Sequence, residues 1–427
     1  MLISTVLPSK YQISEYMTIA QENLVVKSRN GLPRLSAVEL ATVGLIRQQG
    51  ALSRTDLAKL LNLSRASVTS IAGNLVELGV LTEVGHGKSE GGRRPQLLDI
   101  DAELGFLAGV DIGATSIDLA LADFRGEILE RRTEAADVRE APEQVLDRVN
   151  QLIVELLEEH GAGEKDLVGL GIGVPGPVQY PSGLLIEPPL MPAWDSFPIK
   201  DYVRKKFPQV NPTVDNDVNI MAIGEARAGG GKGIDNFFYI KIGTGIGCGV
   251  IVKGEIYRGS DGTAGDVGHI CIDYNGPICH CGNAGCLEVM AAGPSIAKRG
   301  QEAALNGKSK IMAARLEKSK GILTAKDIGK AAAAGDQAAN MIISESGRMI
   351  GGVLAGLVNF YNPRAIFIGG GVSKIGHHLL STIRQATLKR ATALSTRKLK
   401  IEYSTLGDDA GVYGAIWLAI ENVFIRA

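Results

Sequence analysis

The chain has 427 residues, 45% hydrophobic and 21% charged, with a formal net charge of −1. That length suits two or three domains with ample core, and the near-neutral balance excludes a molecule that is basic throughout, so any contact with nucleic acid must be local. No uninterrupted apolar run reaches the ~18 residues of a membrane span, and the opening MLISTVLPSKYQISEY lacks the basic start and apolar stretch of a signal peptide; a cytoplasmic protein with no membrane partner is expected.

Residues 1–35 carry no repeat or period and read as an N-terminal arm of unsettled order. From Ser36 the spacing of Val38, Ala41, Leu45 and Ile46 predicts a helix that Gly50 ends. Ser53 as N-cap, with Asp56 in the first turn, predicts a second helix carrying Leu57, Ala58, Leu60 and Leu61, and Asn62 makes the turn. Ser64 caps a third helix with Val68, Ile71, Leu75 and Leu78 inward, leaving Arg65, Ser67, Thr69, Ser70 and Asn74 off that stripe; Gly79 stops it.

Two strand-like runs, VLTEV (80–84) and QLLDID (96–101), flank the glycine-rich basic loop GHGKSEGGRRP. Helix, helix-turn-helix, hairpin is the order of a winged helix, so residues 36–101 are predicted to bind double-stranded operator DNA. Small and hydrogen-bonding residues at the exposed start of the third helix let its backbone approach base edges. The candidate DNA contacts are Arg54, Ser64, Arg65, Ser67 and Thr69 on the helices, Arg65 foremost, with Lys88, Arg93 and Arg94 in the wing. Residues 34–98 hold eight Lys or Arg against five Asp or Glu, the local surplus that phosphate contact needs. The plainer alternatives are a small helical domain with a solvated loop, or a winged helix used for protein contact.

Residues 102–427 alternate strand and helix patterns, beginning with FLAGVDIGATSIDLALADFRGEIL (106–129), which predicts a β-hairpin opening an α/β body. Amphipathic helical pattern follows around 142–160, then the strand-like LVGLGIGV (167–174). Two glycine-rich turns stand out: one holds Asp111, Gly113 and Thr115, the other Gly243, Thr244 and Gly245 within KIGTGIGCGV (241–250). Both join strand to strand, so neither is a Rossmann or Walker loop; a pair of such turns can clasp phosphates between two lobes, or simply pack a hairpin tightly. In VDNDVNIMAIGEARAGG (214–230) Asn216 and Asp217 end a strand and a helix follows. An acid at a strand exit can take a proton or a hydrogen bond from a hydroxyl; the alternative is a helix cap supplied by Asp217 or Asn219.

Within residues 265–288 Cys279, Cys281 and Cys286 form C-x-C-x4-C, with Gly282 and Gly285 freeing the backbone to wrap a tetrahedral ion and His269 able to complete it. Zinc is the natural occupant, Cys271 or His280 being alternative fourth ligands, and a closed shell of three Cys and one His makes the metal structural. Cys248 and Cys271 lie in apolar, strand-like settings and are expected to be small buried residues.

At this cluster the sequence resembles the ROK family, named for repressors, open reading frames and kinases. The resemblance covers about residues 36–427, in the order winged helix, DIGAT, GVPGPV (173–178), the Asn216-Asp217 pair, the cysteine cluster, IFIGGGV (366–372) and GDDAGVYGAIWLA (407–419). It implies an actin-like ATPase-type, sugar-kinase-like fold of two α/β lobes, with sugar in the cleft and zinc ordering one wall. By the same resemblance Asp217 stands where sugar-kinase members have the catalytic base. His269 and Glu288 stand where the sugar is hydrogen-bonded, His269 holding zinc through its other nitrogen, and Asp266 replaces the usual glutamate. Asn216, Asp217, Asp266, His269 and Glu288 are thus the candidate sugar site.

Two departures from the kinase pattern matter. Kinase members usually read D-x-G-G-T-K in the first phosphate turn, whereas Asp111-Ile112-Gly113-Ala114-Thr115-Ser116 has lost a glycine and the positive charge, which weakens phosphate binding. PPLMPAW (188–194) also lacks the Asn common before Pro-Gly-Trp. The expectation is a sugar-responsive repressor carrying structural zinc and no ATP, its effector a sugar or sugar phosphate, working as a homodimer or dimer of dimers whose geometry the ligand shifts. An ATP-dependent sugar kinase with a DNA-binding arm is the alternative; zinc-dependent hydrolysis is disfavoured because the metal shell is full.

Overall fold

The computed structural model describes residue 32, residues 35–87 and residues 94–424. The expected arm over 1–35 therefore lies outside the described residues except at Leu32 and Leu35, and so do Lys88 and Arg93 of the wing tip.

The described chain opens with α1 (Ala37–Gln49), β1 (Leu52–Ser53), α2 (Arg54–Leu61), α3 (Arg65–Glu77), β2 (Leu81–His86) and β3 (Gln96–Ile100). Each helix starts on a serine hydroxyl. Ser36 accepts from the Glu39 amide while Glu39 accepts from the Ser36 amide at 2.7 Å, Ser53 and Asp56 form the same reciprocal pair, and Ser64 accepts from the Ser67 amide at 3.1 Å. These caps satisfy amides the helices leave free and are worth about 1 kcal/mol each. Asn62 closes α2 in the left-handed region, φ 55°, a conformation that a short polar side chain tolerates. Val68, Ala72 and Leu75 form the buried stripe of α3. Ile71 and Leu78, expected inward, are half-buried because helical spacing puts them at the edge of that stripe. The strands pair antiparallel in the order β1-β3-β2, completing a winged helix.

Two five-stranded sheets follow. The first contains β4 (Phe106–Ile112), β5 (Ser116–Ala122), β6 (Ile128–Ala135), β7 (Leu167–Val174) and β10 (Thr213–Asn216), in the order β10-β7-β4-β5-β6. The short hairpin of β8 (Val178–Gln179) and β9 (Leu184–Leu185) sits apart. The second contains β11 (Phe237–Ile242), β12 (Ile246–Val252), β13 (Glu255–Ile256), β14 (Ala365–Gly369) and β15 (Lys400–Tyr403), in the order β13-β12-β11-β14-β15. In both, the first strand is central, antiparallel to the next and parallel to the fourth. One arrangement used twice is the two-lobed actin-like architecture. Every residue of β7 is buried, as a parallel strand covered on both faces requires.

Helices α4 (Pro142–Glu159) and α5 (Ile199–Lys206) bury their apolar faces on the first sheet, and α6 (Asp217–Arg227) leaves β10 toward β12. The second lobe carries α7 (Leu287–Ala291), α8 (Gly293–Leu305), α9 (Lys310–Lys318), α10 (Ala325–Ala333), α11 (Gln337–Tyr361), α12 (His377–Arg390) and α13 (Ala393–Thr396). Among the described residues α11 alone is long and apolar enough to cross a membrane. Its Ile342, Ile343, Ile350 and Leu354 are buried in the same core as Leu379 and Ile383 of α12.

The last helix, α14 (Ala410–Asn422), ties the parts together. A Cβ on Gly414 would lie 1.6 Å from the Ile220 carbonyl oxygen and one on Gly224 2.2 Å from that of Ala410, so only glycine lets α6 and α14 touch backbone to backbone. Farther along, Ile416, Ala419 and Ile420 of α14 enter the core that holds Leu57, Val68, Leu75, Leu98 and Ile100 of the winged helix. One apolar core therefore runs from the helix-turn-helix onto a helix that reaches the cleft.

Candidate functional site

At the exit of β10 three consecutive polar residues take different roles. Asn216 is the cap of α6: its Oδ1 accepts from the amides of Val218 at 2.9 Å and Asn219 at 3.4 Å, and its Nδ2 donates to the Gly176 carbonyl at 2.9 Å. The alternative reading of Asp217 or Asn219 as the cap therefore does not hold. The helix begins at Asp217, which puts the oxygen of the preceding residue over the free amides. Asn219 instead donates to Asp215 Oδ1 at 2.8 Å.

Asp217, only 4% exposed, is left to face the second lobe, where its Oδ2 pairs with Lys241 Nζ on β11. Burial disfavours the Lys241 charge, but Asp217 and Asp111 outweigh burial and raise its pKa. Asp111, the residue before the last of β4, lies nearby; a Cβ on Gly411 of α14 would lie 1.8 Å from its Oδ2, and its buried Oδ1 has no hydrogen-bond partner among the described residues. Burial pushes the Asp111 carboxyl up to about 7, Lys241 pulling it down and Asp217 and Asp118 adding to the rise. Two residues before Asp217, Asp215 pairs with Arg258 of the second lobe, Nη2 at 2.7 Å and Nε at 2.8 Å, and the guanidinium lies 3.9 Å from the centre of the Tyr180 ring. Two carboxylates at one strand exit thus each meet a cation from across the cleft. A depression of about 410 Å³, lined by Gln179, Tyr180, Pro181, Ser182, Ser260 and Asp261, opens beside this second pair.

The two glycine turns are closed on themselves. Gly113 donates to the Ser116 carbonyl at 2.8 Å and Gly243 to that of Gly245 at 2.9 Å, while Thr115 and Thr244 stand exposed at the tips. Glu288, half-buried at the start of α7, packs under the second turn: its Oε2 accepts from the Ile246 amide at 3.1 Å and would lie 2.4 Å from a Cβ on Gly245. One edge of β11–β12 therefore meets Asp217 through Lys241, and its turn meets Glu288.

Ligand atoms of His269, Cys279, Cys281 and Cys286 all lie within 4.8 Å of one another. Cys279 Sγ is 3.6 Å from His269 Nδ1, and Cys281 Sγ is 3.7 Å from Cys286 Sγ. Thiolates held tetrahedrally at ~2.3 Å from one ion must lie about 3.8 Å apart, so the donor set fits a metal. The Cys281 thiol is drawn down to about 7: burial pushes it up, but hydrogen bonds from Asn283 and its cysteine neighbours outweigh burial. His269 turns its other nitrogen, Nε2, toward the exposed Asp266, with Oδ1 at 3.8 Å. Among the described residues neither Cys271 nor His280 belongs to the group. Cys248 is buried in β12, but Cys271 is half-buried and outside any strand, correcting the expectation for it: it forms an isolated bridge with Cys286 at the edge of the cysteine loop.

On the winged helix, Ser64, Arg65, Ser67 and Thr69 are all exposed around the N-terminal end of α3. Ser64 Oγ lies 2.8 Å from Ser67 Oγ, and Thr69 Oγ1 donates to the Arg65 carbonyl at 2.8 Å. The Arg65 guanidinium has no ion-pair partner among the described residues. Arg54, by contrast, pairs with Glu83 of β2 at 2.8 Å. Arg94 is exposed at the foot of the wing.

Lys241, Asp215 and Arg258 had no role in the sequence reading. Their signals were present, an Asp-Asn-Asp run and a lysine just before a glycine turn, but pairing across two lobes has no sequence period to betray it.

The ROK family model matches residues 107–422. A putative xylose repressor from Caldicellulosiruptor sp. (strain Rt8B.4) is 32% identical over 391 residues, 90% of this chain and 96% of that protein. A glucokinase from Halalkalibacterium halodurans is 36% identical over 313 residues, 73% of this chain and 93% of that enzyme. Among solved structures, a ROK family transcriptional regulator described as a homolog of the E. coli MLC protein matches with a TM-score of 0.78 at 26% identity, covering 91% of this chain and 96% of its own.

Proposed function

The chain belongs to the ROK family, and from that premise we propose that it is a sugar-responsive transcriptional repressor, reading operator DNA through the winged helix and a sugar in the cleft. The observation that carries this reading is the single core joining Leu57, Val68 and Leu75 of the helix-turn-helix to Ile416 and Ile420 of α14. Its other end touches Asp111 and crosses α6. A ligand that alters lobe closure must move α14 or strain it, and the winged helix is packed on that same helix; closely packed cores shift between discrete arrangements rather than stretch. The repressor relative spans 90% of the chain, whereas the glucokinase relative spans 73%.

Arg65, Ser64, Ser67 and Thr69 enter the major groove, with Arg54, Lys88, Arg93 and Arg94 on phosphates or the minor groove. Two copies form a homodimer, because one small winged helix reads few bases. The sugar is held by Asp217, Asp266, His269 and Glu288, with Asn216 positioning Asp217 by capping α6. His269, Cys279, Cys281 and Cys286 hold structural zinc in the segment 265–288 of a body that runs over 102–427. When bound, that ion ties the loop into one piece. The chain's own part is to hold the His269 ring so that Nε2 presents a proton to a sugar hydroxyl beside Asp266. The protein acts in the cytoplasm, where operator DNA and sugar meet.

A thermal-shift panel of pentoses, hexoses and N-acetylhexosamines, run beside an assay for ATP-dependent phosphorylation, tests this. One sugar should stabilise the protein, since whatever binds the folded state alone raises its melting temperature. Turnover at ordinary kinase rates sinks the regulator reading in favour of a kinase.

A further inference from the structure

Asp217 is held by an ammonium group instead of being left open to a substrate proton, and Asp111 beside it keeps an unpartnered buried oxygen. Asp118 is engaged by neutral hydroxyls, with Ser116 Oγ at 2.9 Å and Thr133 Oγ1 at 2.7 Å. Glu288 and Asp266 add two further carboxylates along the second turn and the cysteine loop. The cations that cross to this strand exit, Lys241 and Arg258, are already committed to Asp217 and Asp215. The amides of Gly113 and Gly243, which a phosphate would need, close their own hairpins. Phosphoryl groups require converging cations or free amides. The residues here do not fit a phosphoryl group, whether of a sugar phosphate or of a nucleotide.

What they fit is an uncharged polyol. An ammonium has three donors, and Asp217 uses one, leaving two for sugar hydroxyl oxygens, while the free carboxylate oxygens accept hydrogen bonds from sugar hydroxyls. We propose that Lys241 is an internal counter-cation that fixes Asp217 as a hydrogen-bond acceptor, so that the cleft reads an unphosphorylated sugar through its hydroxyls and rejects both the phosphate ester of that sugar and nucleotide. Lys241 is then a specificity-determining residue, and this inference rests on the cleft being the sugar site.

The test is isothermal titration of the full chain with D-xylose, D-glucose and N-acetyl-D-glucosamine, the phosphate monoester of each, and ATP with magnesium. One neutral sugar should bind, its monoester at least about a hundredfold more weakly, and ATP not at all. Lys241→Met should weaken sugar binding by about tenfold or more, and Lys241→Arg, which keeps the charge, should hold it within about threefold. Binding of a monoester at equal or higher affinity, ATP binding, or wild-type sugar affinity in Lys241→Met overturns the proposal. Should the methionine variant fail to fold, the comparison of sugar with monoester on the unmodified chain still decides. If neither form of any sugar binds, the sugar-cleft reading falls and this inference with it; if only monoesters bind, the cleft stands and the role of Lys241 falls alone.

Discussion

Arg47 of α1 donates from Nη1 to the Phe124 carbonyl at 2.9 Å, and its guanidinium lies 5.2 Å from the centre of the Phe124 ring. Phe124 is fully buried between the winged helix and the first lobe, edge-on to Phe424 at 5.7 Å. Arg125 next to it donates to the Ile100 carbonyl at 3.0 Å. The turn after β5 is therefore bonded to the winged helix at two successive residues, beside the end of α14.

Arg47→Met should uncouple the two ends of the molecule more than it weakens either. Sugar affinity is expected to stay within about twofold. The sugar-induced change in DNA affinity, which spans about 1–3 kcal/mol in typical allosteric couplings, should fall to less than about half. Paired sugar titrations and DNA-binding curves check this; an undiminished coupling would show that the signal does not pass through this joint.

Asp111 makes the stability of the body depend on pH. Its carboxyl is raised from an ordinary 3.8 to about 7, mainly by burial, so the native state holds a proton that the unfolded chain has released. That contribution is fully present below about pH 4 and is lost as pH rises through about 7, of order a few kcal/mol at most. Asp111→Asn removes it. The variant should gain stability relative to the parent as pH climbs from about 4 to about 8, read by denaturant unfolding at several pH values; parallel profiles would be evidence against a proton on Asp111.

About one zinc per chain is expected on elemental analysis, falling nearly to none in Cys279→Ser. Metal removal by a strong chelator should lower the melting temperature, since binding free energy at such a site is folding free energy. A metal-free native protein with unchanged stability would reduce the cluster to four thiol and imidazole neighbours.

Much of this was legible in the sequence because local chemistry dictates it. Serines before amphipathic runs gave the caps at Ser36, Ser53 and Ser64, and apolar runs gave β4, β5 and β7. The C-x-C-x4-C spacing gave the cysteine group that includes His269. The cap of α6 fell to Asn216 and not to the alternatives Asp217 or Asn219, because all three are good capping residues and the choice is made by where β10 ends. Lys241 on Asp217 and Arg258 on Asp215 escaped because each pair joins residues far apart in the chain, brought together only when two sheets close on α6 and α14. The close approach of those helices at Gly224 and Gly414 is likewise tertiary.

Arg65, exposed and without an ion-pair partner among the described residues on α3, should matter for sequence discrimination. Arg65→Ala should cost about 1–3 kcal/mol against the preferred site and relax the preference at one base pair. Arg94→Ala should instead weaken all sequences alike and reduce the salt slope by about 1. Binding curves on preferred and scrambled duplexes at several salt concentrations separate the two; unchanged discrimination removes Arg65 from the base-reading set.

The most direct measurement is fluorescence anisotropy of the full chain on a duplex selected from genomic fragments, titrated with and without the sugar that stabilises the protein. A two-fold symmetric site bound tightly without sugar, and released with at least about tenfold loss of affinity when sugar is added, is the result a sugar-responsive repressor requires. A duplex held equally well at every sugar concentration would contradict it.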